Sequence, residues 1–144
     1  MNKLALLTYL IFATSITYAD HCPSIKDIKA NKASDWKAFD SDNHKPLSML
    51  RETNLKHSII HFALAEWSNA NQKSSIHCYY NNANGSDMEA YFAKDSASPI
   101  QPSKYWYQVT GLMQCAAGSD KCGFQVLPGM KHQLVQNITD KRAS

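Results

Sequence analysis

Ser58-Ile59-Ile60-His61-Phe62-Ala63-Leu64-Ala65-Glu66-Trp67, the polar link Ser68 to Lys73, and Ser74-Ser75-Ile76-His77-Cys78-Tyr79-Tyr80 decide the fold. The first run is rich in β-formers and, as a strand, sets Ile60, Phe62 and Leu64 on one face. Its Ala, Leu and Glu content also suits a helix, so its neighbours arbitrate. The third run places Ile76 and Cys78 together, and the polar link makes the two runs a hairpin. Asn81-Asn82-Ala83-Asn84-Gly85-Ser86 then supplies residues that tolerate positive φ, and Met88 to Lys94 alternates again. Two hairpins sharing a middle strand are predicted.

Working outward, Pro99 and Pro102 punctuate a loop before the β-rich run Tyr105 to Cys115, beside which Cys122 to Leu127 is expected to return. Upstream, Ile25 and Ile28 suit a helical turn or an edge strand. Residues 30–56 are polar, anchored by Trp36 and Phe39 and then by Pro46-Leu47-Ser48-Met49-Leu50, and only short elements are expected there. Turn-separated strands of this kind predict a mainly β fold, a small antiparallel β-sandwich or open barrel built of hairpins, with one short helix and two disulfides.

The amino terminus carries Lys3, an apolar run from Leu4 to Ala13 and the close Thr17-Tyr18-Ala19, the layout of a cleavable secretory signal over residues 1–19. That run is too short to span a bilayer, and Asp20 does not fit a lipidation site ahead of Cys22. Residues 20–130 are then expected to form one β-rich domain, with 131–144 a polar tail that frays. The compartment is periplasmic or extracellular, where Cys22, Cys78, Cys115 and Cys122 are staples. Cys115 and Cys122 flank a polar stretch containing Gly118 that can turn the chain back, which leaves Cys22 for Cys78.

The whole chain has 15 basic and 12 acidic residues, and loss of Lys3 leaves a formal charge near +2. With arginine only at positions 51 and 142 and the lysines scattered, there is no nucleic-acid footprint and no basic run for a membrane surface. A monomer that does not insert into membranes is expected.

Candidate chemistry is thin. His57 and His61 have the spacing of a zinc pair, but no spacing singles out further ligands among His21, His44, His77 and His132. Asp20-His21-Cys22 could hold copper were the thiol free, which the disulfide reading precludes. Cys78 has His77 beside it, but neighbouring strand residues face opposite ways, so structural pairing is the expectation. There is no Gly-x-Ser-x-Gly elbow, and the sequence alone does not pair carboxylates for glycosidase chemistry. No catalytic residue or cofactor is assigned. Asn84-Gly85-Ser86 and Asn137-Ile138-Thr139 match a glycosylation pattern that matters only in a eukaryotic route.

Aromatic residues remain. Tyr79-Tyr80, Tyr91-Phe92 and Tyr105-Trp106-Tyr107 put rings on both faces of their strands, so a solvent-facing side would display binding material. Tyr80, Tyr91, Tyr105, Trp106 and Tyr107 are the candidate binding residues.

The motifs Cys22-Pro23-Ser24, Trp36, Phe62-x-x-Ala65, Ile76-His77-Cys78-Tyr79-Tyr80 and Cys122-Gly123-Phe124 resemble a family of short exported gamma-proteobacterial proteins of unknown function; Gly123 stands where proline is expected. The resemblance implies a compact β-rich domain with two disulfides, exported and sometimes secreted beyond the cell, with no catalytic residues to carry over. The expected function is that of a small exported binding protein whose target is a protein or glycan, including one of a host. Inhibition of a secreted hydrolase such as lysozyme is the alternative, and a metal-dependent or hydrolytic enzyme the second.

Overall fold

The computed structural model describes residues 18–70, 73–85 and 88–127. In chain order these form α1 (Ile25–Lys29), β1 (Lys37–Asp40), α2 (Met49–Ser58), β2 (Ile59–Ala70), β3 (Lys73–Asn82), β4 (Ala90–Asp95), β5 (Ala97–Pro99), β6 (Tyr107–Val109), β7 (Leu112–Cys115) and β8 (Phe124–Val126). The expected leader 1–19 lies outside the described residues except for Tyr18 and Ala19, and the tail 131–144 lies wholly outside them.

The fold is mainly β and antiparallel. A six-stranded sheet runs β1-β4-β3-β2-β7-β6, and a two-stranded sheet pairs β5 with β8. The central run is a strand, and β2, β3 and β4 make the two predicted hairpins sharing β3. The chain reaches β2 from β1 through α2, and β1 lies beside β4, giving a Greek-key order. The outer edge of β1 is covered by its own return segment: Asp40 N–H donates to Lys45 O, Leu47 N–H donates to Ala38 O, and Phe39 is bridged to Pro46.

Strand alternation divides the large sheet into two faces. Cross-strand register sets Ala38, Phe92, Cys78, Ala65 and Cys115 in one row on the inner face. Ile76 and Tyr80 extend this face, and Ile28 of α1, Trp36, Trp106 and Phe124 of β8 close over it. Trp36 meets Phe124 edge-on with ring centroids 5.9 Å apart, a favoured aromatic geometry. Both disulfides form as expected, Cys22–Cys78 across 56 residues and Cys115–Cys122 across 7. In the loop-entropy picture they restrict the unfolded chain by about 4 and about 2.5 kcal/mol.

Three local expectations are corrected. Phe124–Val126 does not return beside β7. Thr110 and Gly111, with φ of 44° and 86°, reverse β6 directly into β7, and β8 pairs with β5 instead. Within β2, register irregularities flank His61 and Phe62, so Ile59 enters the core and Ile60 faces out. The Pro46–Leu50 anchor contributes only Leu47, because Ser48 caps α2 and carries Met49 and Leu50 into solvent.

Ala65 is fully buried between the half-cystines Cys78 and Cys115 on the adjoining strands. A larger side chain there must displace a cystine. Ala65→Leu is expected to destabilise the oxidised protein by about 1–3 kcal/mol, read as a lower urea midpoint with both disulfides intact.

Candidate functional site

Opposite the core, the outer face carries Phe39 from β1, Tyr91 from β4, and Tyr79 and His77 from β3. Phe39 and His77 stack on Tyr91, and Tyr79 is tilted at 43° to it with centroids 5.3 Å apart. Phe39 and Tyr91 are 5.7 Å apart and 17° from parallel, while His77 covers the other side of Tyr91 at 4.3 Å and 24°. Tyr91 is sandwiched, which leaves it 3% exposed. His44, from the segment after β1, places its Nδ1 3.1 Å from the Tyr91 hydroxyl.

Burial dominates the electrostatics of this group. It lowers the His77 imidazole to about 4, helped by the charge of His44 and opposed by Asp95. It likewise raises the Tyr91 and Tyr79 phenols, with Glu66 adding to both. His77 Nε2 sits 2.9 Å from Ser75 Oγ, two residues along the same strand. This resembles a nucleophile and its base, but an imidazole that stays neutral down to about pH 4 is a weak base at neutral pH. The pair reads as a structural hydrogen bond.

The other candidate aromatics separate sharply. Tyr80 is 2% exposed and donates its hydroxyl to Pro23 O at 2.6 Å, tying the amino-terminal segment to the sheet. Trp106 is buried and donates Nε1–H to Gly123 O at 2.9 Å. These two therefore serve the core. Tyr105 is half-buried, with Lys104 Nζ 5.1 Å from its ring centre, and Tyr107 alone of the five is largely open. His57 ends α2 and His61 lies on β2, and among the described residues no three His, Cys, Asp or Glu side chains gather as metal ligands. The sulfur of Cys22 is held in its disulfide.

Two surface features are shaped for contact. The first is the β6–β7 hairpin at the sheet edge. Tyr107, Val109 and Leu112 project from its outer face and are 48%, 36% and 39% exposed. The two-residue turn makes Val109 and Tyr107 the residues hydrogen-bonded to β7, so the N–H and C=O of Gln108 point off the sheet. The second is a cleft of about 280 Å³ between α2 and the ends of β3 and β4. Leu47, Leu55, Ile59 and Tyr80 supply its apolar wall, and Arg51 and Glu89 stand among its polar residues. Arg51 is committed to Asp40 at 2.7 Å; with the N–H groups of Asn43 and Asp42, it holds that carboxyl below its usual range.

Tyr107 is the member of its aromatic run that the structure leaves exposed, and alternation alone sets Tyr79 and His77 on one face. The cleft was missed because α2 was not recognised as a helix. Its residues carry little apolar periodicity, and the remaining signals are the Ser48 cap and the Glu52–Lys56 pair, 2.7 Å apart.

Tyr80→Phe, which strands Pro23 O, is expected to cost about 1–2 kcal/mol in thermal or urea unfolding. His77 gives a pH signature. Its unfolded form takes a proton near 6.5 and its folded form only near 4, so stability falls as pH drops through that interval. His77→Phe should remove this part of the slope in urea midpoints measured from pH 7 to 4, and an unchanged slope would show that His77 is not the source. Comparison with protein families, with curated proteins and with solved structures returned no match.

Proposed function

We propose that this chain is a small exported binding protein, periplasmic or secreted, that engages another protein through its β6–β7 edge. One observation carries the proposal: Tyr107, Val109 and Leu112 are exposed side by side on an edge whose outward backbone groups have no strand beside them among the described residues. Exposed apolar side chains next to an open ladder suit an extended protein segment, which gains main-chain hydrogen bonds and side-chain contacts together. A glycan is the weaker fit, since the most complete aromatic grouping, around Tyr91, has the faces of its central ring already covered.

The exported address rests on the signal-like leader and on the two disulfides. Among the described residues no helix is long and apolar enough to cross a membrane. As the aromatic member of the patch, Tyr107 is the expected anchor.

Crosslinking and pull-down with the oxidised domain should recover a protein partner that Tyr107→Lys loses by about thirtyfold in affinity. Gln108→Pro, which removes the outward donor, should weaken it further, while Met49→Ala on distant α2 leaves it intact. Full retention by Tyr107→Lys, or no partner for the wild-type domain, would refute the assignment.

A further inference from the structure

The cleft beneath α2 lies apart from the β6–β7 edge and calls for a different ligand. At about 280 Å³ it falls just below the range of small-molecule sites. Ile59 and Tyr80 at its floor are 1% and 2% exposed, so the accessible apolar wall is that of the partly buried Leu47 and Leu55, backed by core residues. Tyr80 is also fixed by its hydrogen bond to Pro23.

Charge selects what enters. Arg51 is the cation lining the cleft, and its guanidinium is paired with Asp40. Glu89 lines the same cleft and enters no ion pair among the described residues. The uncompensated charge is therefore negative and sits beside an apolar wall. Lysine and arginine side chains match this pattern, with a methylene stem that packs on apolar surface and a cationic head kept near water.

We propose that the α2 cleft is a side-chain pocket for a lysine or arginine of a partner protein, with the methylenes against Leu47 and Leu55 and the charged head at Glu89. The pocket does not depend on the edge being a binding surface. A partner spanning both would present a basic side chain at one site and an extended segment at the other.

The test is an NMR titration of the oxidised protein with N-acetyl-lysine amide and N-acetyl-arginine amide, with N-acetyl-norleucine amide and N-acetyl-glutamate amide as controls. Saturable shifts are expected at the amides of Leu55, Ile59 and Ala90 with the basic probes. Norleucine amide should bind about fivefold more weakly, as befits a partly exposed ion pair, and glutamate amide should not bind. Glu89→Gln, an exposed substitution that leaves the core untouched, should erase the preference for basic over norleucine probes. Equal binding of norleucine amide, an unchanged preference in Glu89→Gln, shifts confined to the β6–β7 edge, or no saturable shift would each overturn the proposal. The edge variant Tyr107→Lys should titrate like wild type, which separates this pocket from the edge reading.

Discussion

Two cystines root on either side of one alanine, and the rest of the molecule is arranged around that constraint. Cys78 on β3 and Cys115 on β7 flank Ala65 on β2, all on the inner face, and each sulfur leaves the sheet to hold a segment that would otherwise be loosely attached. Through Cys22 the first bridge brings in the segment that continues into α1, which supplies Ile28 to the core. Through Cys122 the second brings in β8, whose Phe124 meets Trp36. The amino-terminal segment and β8 are themselves joined, since Asp20 and Phe124 exchange both backbone hydrogen bonds. The bridges and this pairing close a ring of connections over the inner face, so a small core need not hold the fold alone.

The two faces of the sheet are organised by different physics. The inner face is sealed by elements laid across it, whereas the outer face seals part of itself. Phe39, Tyr91 and His77 stack across three neighbouring strands, and their contact removes apolar area from water. That stacking accounts for a continuous run of buried residues from Ala90 to Ala93 in β4, where a strand with one wet face would alternate. It also spends the ring faces that a ligand would have used.

What could be read in the chain followed the range of the interactions. The alternation of Ile76, Cys78 and Tyr80 and the turn residues after Asn81 are local signals, and they led correctly to β2, β3 and β4. The cysteine pairing was legible because a short glycine-containing stretch limits where Cys115 can reach. The partners of β1 and β8 were not, since Phe39 meets Tyr91 and Pro99 meets Phe124 across long stretches of chain, and periodicity carries no record of such meetings. Tyr80 and Trp106, candidate binding residues by their place in aromatic runs, lie in the core for a related reason. Their polar tips find backbone oxygens in distant segments, which makes deep burial of a tyrosine and a tryptophan tolerable.

The covered edge of β1 has a consequence for behaviour at high concentration. One end of the six-stranded sheet is shut by a segment containing Pro46, a residue with no N–H to offer, while at the other end β6 has no strand beside it among the described residues. Growth of a sheet by head-to-tail addition needs a free edge at both ends of every unit. Molecules of this shape can join in pairs, open edge to open edge, but a pair presents only shut ends. Chain-like polymerisation through the sheet is thereby terminated at two.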